Sequence, residues 1–143
     1  MSAPVLTLYV ETAGNRRVFK PAEVVIGALE VQCATEWTVE TFNLVLLWRT
    51  DGKGNVDKGA ADSAVIRKRG ERMPITVKQP FSLRLPPHPV STLGSTIRIY
   101  WLVGLYVRAK GGKEQFFELP IASTFQEEQF KKYFDSSEDV EAN

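Results

Sequence analysis

Between Ile97 and Val107 the chain alternates without a break: Ile97, Ile99, Trp101, Val103, Leu105 and Val107 fall on one side of an extended strand. A period of two over that length demands a β-strand with one face in a core. Just before it, Phe81, Leu83 and Leu85 alternate with Ser82 and Arg84, then meet the block Pro86-Pro87-His88-Pro89 and a polar turn. The rest of the chain follows suit. Pro4–Val10 places Leu6, Leu8 and Val10 on one side and closes in the turn Ala13-Gly14-Asn15. Arg16–Lys20 leads to Pro21, and Val24–Cys33 aligns Val25, Leu29, Val31 and Cys33. Gly27 interrupts that strand, where glycine marks a bulge or a close backbone approach.

Thr38–Thr50 sets Phe42, Leu44, Leu46 and Trp48 against Val45 and Leu47, the pattern of a strand covered on both faces. Asp51–Ser63, rich in Gly, Asp and Lys, reads as a long mobile loop or hairpin tip. Short strands are expected near Ala64–Arg69 and Arg72–Lys78. Lys110-Gly111-Gly112-Lys113 is a hairpin turn, so Thr96–Arg108 and Glu114–Ala122 become antiparallel neighbours. Seven or eight strands with turns every 8–12 residues define an all-β chain, a sandwich or barrel.

A single helix closes the sequence. Thr124 and Glu127 stand in the capping-box relation, as do Ser123 and Gln126, and Glu127/Lys131 and Glu128/Lys132 are i,i+4 pairs. Phe130, Tyr133 and Phe134 share one face of about ten helical residues, a stripe that needs cover. Beyond Asp135 nothing remains to bury, and disorder is expected. The organisation is therefore a β-sandwich over 1–123 and a short amphipathic helix with an acidic tail over 124–143. From Phe125 onward six acids face two bases, so the tail carries −4 and the body +5 of the net +1.

That near-neutral balance argues against a nucleic-acid partner. The single cysteine, Cys33, excludes an internal disulfide and a metal cluster. The N-terminus lacks a basic-then-apolar leader, and no apolar run approaches the ~18 residues of a membrane span. Cytoplasmic residence follows as the default.

Two segments carry a resemblance. RVFKPAEVVIGALEV, with Phe19, Pro21 and Gly27 ahead of a strand ending near Val31, is similar to the first signature of arrestin-like domains. FSLRLPPHPVSTLGSTIRIYWLVGLYV resembles the second: Phe81, Leu83, Leu85, Pro86, Pro89, Ser91, Gly94, Ile97, Arg98, Tyr100 and Trp101 match it. Together they span 19–33 and 81–108. The resemblance implies an immunoglobulin-like sandwich used as an adaptor for cargo tails, membrane-protein segments or other adaptors. Two departures stand out. Ala22 occupies a place where the family usually has glycine, and the chain has room for one sandwich where eukaryotic arrestins carry two. A stand-alone module is implied, without a two-domain phosphate clamp.

The residues offer little convergent chemistry. His88 is the sole histidine, with no nucleophile or second metal ligand supplied beside it. Ser91 sits in a turn, and Cys33 reads as a small buried hydrophobe. Asp51, Asn55 and Asp57 miss a calcium-loop spacing because Lys53 holds the middle ligand position, and Gly52 and Gly54 lack the remainder of a P-loop. Trp48 and Trp101 belong to the core, with Trp37 at its rim or exposed as an anchor.

Two groups remain as candidate partner-binding residues. Arg67, Lys68, Arg69 and Arg72 are either a charged strand edge or an anion or acidic-peptide site. Phe130, Tyr133 and Phe134 either pack on their own domain or dock on a partner. The expectation is a non-enzymatic adaptor without cofactor or metal, contacting a protein partner through a sheet edge or concave face. One alternative is a small-ligand binder or enzyme built from the loops around Pro86–Leu93 and Asp51–Ser63, with His88. Another is a homo-oligomeric component associating through the tail helix.

Overall fold

The computed structural model describes residues 4–52, 58–94 and 97–142, with backbone alone at Ile97 and beyond Asp135. Strand β1 (Leu6–Thr12) leads through a 3₁₀ turn (Ala13–Asn15) into the short β2 (Val18–Phe19). Then come β3 (Val24–Cys33), β4 (Trp37–Gly52), β5 (Lys58–Val65), β6 (Arg72–Met73) and β7 (Thr76–Arg84). The chain ends with β8 (Thr92–Leu93), β9 (Ile97–Ala109), β10 (Gln115–Ser123) and helix α1 (Glu127–Ala142). The smaller sheet has the order β1-β3-β7. The larger runs β2-β10-β9-β4-β5, with β6 added on β4 and β8 on β9. All pairs are antiparallel except β2 with β10, where Val18 and Phe19 run alongside Ala122 and Ser123.

Alternation drives the two sheets together. Val10, Val25, Leu29, Val31 and Leu83 from the smaller sheet meet Phe42, Leu44, Leu46, Trp101, Val103, Leu105 and Ile121 from the larger, all essentially inaccessible. Each such side chain contributes about 1.5–3 kcal/mol by leaving water. Trp101 through Val107 thus form the interior that their spacing dictates; Ile99 is half-buried, and the Ile97 side chain lies outside the described residues. A register shift between Val39 and Thr41 lets Val39 and Phe42 both face inward despite their odd separation. Trp37 is fully buried and stacks on Phe42 with ring centroids 5.9 Å apart, whereas Trp48 is half-buried against the core. Side chains latch the two seams of the sandwich. On one side the Leu6 N–H donates to Gln115 Oε1 at 3.1 Å; on the other, Arg67 donates to Gln79 and the Arg84 N–H to Asp62 Oδ2 at 3.4 Å.

Gly27 is a close approach: a Cβ there would lie 2.1 Å from the Glu11 carbonyl oxygen and 2.7 Å from the Phe81 ring. Ala22 has φ +67°, a left-handed conformation that favours glycine, so the departure noted in sequence falls where a side chain is strained. At the β9–β10 hairpin Gly111 takes φ +81°, and the Gly112 N–H bonds the Ala109 carbonyl at 2.9 Å.

Several expectations need correction. Lys58–Ser63 belongs to β5, because the alternate small residues of that stretch pair with β4; the tip at 53–57 lies outside the described residues. The strand expected at Ala64–Arg69 ends at Val65, and the one at Arg72–Lys78 splits into β6 and the longer β7, which continues to Arg84. The Thr124 hydroxyl accepts from the Gln126 N–H at 2.9 Å instead of bonding Glu127, and α1 begins at Glu127. Helical backbone continues to Ala142 where disorder was expected. Once the first turns are fixed on the body, each further residue adds a hydrogen bond without a new nucleation cost.

Candidate functional site

The register that buries Phe42, Leu44 and Leu46 turns Asn43, Val45, Leu47, Arg49 and Asp51 outward on the larger sheet. Opposite them on β9 stand Tyr106, Gly104, Leu102, Tyr100 and Arg98. β10 extends three of these rungs, with Phe116 beside Tyr106, Glu118 beside Gly104 and Pro120 beside Leu102. An antiparallel sheet commonly turns a polar face to solvent. This one presents half-buried Val45 and Leu47, buried Leu102, and Phe116 at 63% exposure.

A polar network crosses the middle of the face. Arg49 grips Glu118 with both terminal nitrogens, at 3.0 and 2.6 Å, and the Tyr106 hydroxyl donates to the same carboxylate at 2.6 Å. The Tyr106 ring occupies the space over Gly104, where a Cβ would lie 2.6 Å from it, and Phe116 stacks on Tyr106 at 6.2 Å. Burial, and then the bond to Glu118, raises the Tyr106 pKa well above the ordinary phenol value. The same hydrogen bond from Arg49 to Glu118 raises the guanidinium pKa, so the charge is fixed.

Helix α1 sits at one end of this face. Phe130 and Phe134 are buried against Val18, Ala122 and Leu93, and the Arg17 guanidinium lies over the Phe134 ring at 4.6 Å. Tyr133, on the neighbouring position, stays 39% exposed. Between helix and sheet runs a groove of about 220 Å³ walled by Leu93, Ile99, Pro120, Ala122, Phe130 and Phe134. Asp51, Arg98, Tyr100 and Tyr133 line it as well, and Arg98 Nη2 donates to Asp51 Oδ2 at 2.8 Å. That hydrogen bond, followed by the nearby Tyr133, raises the Arg98 pKa.

The structure separates the two groups of candidate residues. Phe130, Tyr133 and Phe134 line the groove, but Phe130 and Phe134 do so as buried walls of their own domain; a partner arriving from solvent meets Tyr133. The basic group lies elsewhere. Arg72 pairs in register with Thr38 at the start of β4, while Arg98 pairs with Asp51 near its end, roughly 40 Å away at the rise of a strand. The arginines of that group have acidic neighbours. Arg69 contacts Glu40 at 3.1 Å, Arg72 contacts Glu36 at 3.6 Å, and Arg67 contacts Glu71 at 4.0 Å. Lys68 shares the same turn, its carbonyl accepting the Glu71 N–H at 3.2 Å.

The loops around Pro86–Leu93 and Asp51–Ser63 do converge, since Ser91, Thr92, Leu93 and Asp51 all border the groove, but His88 is exposed and does not line it. Ser91 is buried, its hydroxyl accepting the Ser123 N–H at 2.9 Å and its N–H donating to the Ser123 carbonyl at 2.7 Å. Trp101 Nε1 donates to the Pro89 carbonyl at 2.8 Å, pinning the same loop. Cys33 is a free, half-buried thiol against the core. Among the described residues no group of three His, Cys, Asp or Glu side chains stands ready for a metal, and no helix is long and apolar enough to cross a membrane. Sequence reasoning missed Arg49, Tyr106 and Glu118. The available signal was that all three break the apolar phase of their strands, but only the β4–β9–β10 pairing shows that they meet.

No protein-family model matches the sequence, and no curated protein matches it. Among solved structures the chain is similar to Spo0M, a sporulation control protein from Bacillus subtilis, with a TM-score of 0.65 at 16% identity. The match covers 95% of this chain and 56% of the other, so the chain spans little more than half of that protein's length. At that identity the likeness speaks to fold alone, and it supports the two-sheet, arrestin-like sandwich to which the strand motifs point.

Proposed function

We propose that this chain is a non-enzymatic interaction module of the cytoplasm, an adaptor of arrestin-like type whose protein partner lies on the outward face of the larger sheet. One observation carries the reading: among its paired polar side chains that face sets Val45, Leu47, Leu102 and the exposed Phe116, and it shares Asp51, Arg98 and Tyr100 with the groove beneath α1. Its charged members already satisfy one another, Arg49 with Glu118 and Arg98 with Asp51, so a partner covering them strands no charge. The likeness to a sporulation control protein supports a regulatory setting, by fold analogy only.

Site-specific photo-crosslinking tests the proposal. A crosslinking phenylalanine analogue in place of Phe116 is expected to trap a discrete partner. The same analogue in place of Ile26, exposed on the smaller sheet, is expected to trap none. Identical products from both positions would refute the assignment of the face.

A further inference from the structure

We infer that the end of the sandwich opposite α1 docks on an anionic lipid surface, with its lysines on the headgroups and Val5 and Ile75 entering the interfacial layer. The pairings bring several segments to that end. The Lys110 N–H bonds the Thr38 carbonyl at 2.9 Å, the Gly70 N–H bonds the Val39 carbonyl at 2.8 Å, and Arg72 pairs with Thr38. The β9–β10 hairpin, the start of β4 and the turn before β6 therefore lie side by side. The smaller sheet ends beside them. The Leu6 N–H reaches Gln115, just past the hairpin, and Leu6 pairs with Cys33, whose N–H bonds the Ile75 carbonyl at 2.8 Å.

Charge at this end is one-sided. Arg67, Arg69 and Arg72 have glutamates beside them and add little net charge. Lys68, Arg108, Lys110 and Lys113 are exposed and enter no ion pair among the described residues, and Glu114 is the acid that adjoins them in sequence. Helix α1 lies at the other end of β4, roughly 40 Å away at the rise of a strand, and the segment from Phe125 onward carries −4. An anionic surface turns the basic end of such a molecule toward itself and the acidic helix away.

Charge alone would suit any anionic polymer; the apolar tips choose among them. Val5 is 78% and Ile75 54% exposed, and the chain of contacts through Leu6 and Cys33 makes them neighbours. A bilayer interface offers them hydrocarbon directly beneath the phosphates that the lysines seek, whereas a charged polymer in water offers them nothing to enter. Each base held near an anionic leaflet strengthens attachment roughly fivefold, so four give a reversible hold. Docked end-on, the molecule keeps the outward face of its larger sheet open.

Co-sedimentation of the full chain with vesicles tests this, using phosphatidylcholine alone and phosphatidylcholine with phosphatidylserine. Binding is expected to the mixed vesicles only, and raising salt to about 1 M, where screening acts within roughly 3 Å, should release it. Lys110→Glu with Lys113→Glu, both on an exposed turn, should weaken partition at least tenfold. Lys58→Glu with Lys132→Glu, the same charge change away from this end, should weaken it less than threefold. Ile75→Ser should weaken it at least threefold. Equal binding to both vesicles, equal loss in the two double variants, or full binding by Ile75→Ser overturns the inference. So does binding of a poly-glutamate peptide without partition onto phosphatidylserine, which would assign this end to an acidic polypeptide.

Discussion

Ala22 holds φ +67° with a methyl group that this conformation disfavours by about 1–2 kcal/mol. Replacing it with glycine relieves the strain and adds some freedom to the unfolded chain, for a net gain of about 0.5–1 kcal/mol. Urea denaturation should show that gain in Ala22→Gly. The control Ala28→Gly, inside β3, should lose a similar amount. Tyr106 offers a second test. Its folded pKa is raised, first by burial and then by its bond to Glu118, while an unfolded tyrosine titrates near 10. The contribution of Tyr106 to stability is therefore constant below about pH 10 and falls above it, because the unfolded state releases the proton first. In Tyr106→Phe this alkaline loss should shrink, at the expense of about 1–2 kcal/mol at neutral pH from the missing hydrogen bond. Denaturant midpoints at pH 8 and pH 11 give both quantities, and an equal alkaline loss in the two proteins contradicts the assignment. These side chains were readable as residue types in the sequence. Their roles were only partly so: the positive φ of Ala22 belongs to a local turn closed by the Glu23 N–H on the Lys20 carbonyl, whereas the carboxylate beside Tyr106 comes from Glu118 across the strand pairing.

Helix α1 is anchored by a cluster of its own, Val18, Ala122, Phe130 and Phe134, separate from the main core. Replacing Phe130 and Phe134 together by alanine should release the helix while the sheets stay intact. Hydrogen exchange is the direct readout: amides of 127–135 should lose protection, while those of β4 and β9 keep it. Loss of protection throughout would mean that the helix is integral to the sandwich. Among the strands, legibility followed burial. β9 was plain because Trp101, Val103, Leu105 and Val107 all face one interior. The Lys58–Ser63 part of β5 was hidden because Lys58, Gly59 and Asp62 carry turn-like composition in an edge strand whose pairing with β4 also shifts register. Trp37 was misplaced toward the rim for a related reason: the shift between Val39 and Thr41 breaks the spacing that links it to Phe42.

At the scale of the whole molecule the pairings are mostly non-local. β3 bonds β7 across three intervening strands, and β4 bonds β9 across four. Such topology closes long loops before any contact rewards it, so refolding from denaturant should take milliseconds to seconds, as for other all-β domains. Stopped-flow tryptophan fluorescence would measure it; a microsecond phase carrying the full amplitude would contradict the pairing scheme. The fold class and its core followed from two-residue alternation, whereas the candidate groove did not. It exists only where α1 folds back over β10 and where β8 and the end of β4 are brought beside β9.

The parallel contact of Val18 and Phe19 with Ala122 and Ser123 carries a consequence for synthesis. The second strand made has no bonding mate until β10 has emerged from the ribosome, so the larger sheet stays incomplete until then. A nascent chain halted before residue 115 displays the bare flank of β9, and holding that flank away from other chains falls to whatever chaperone meets it first.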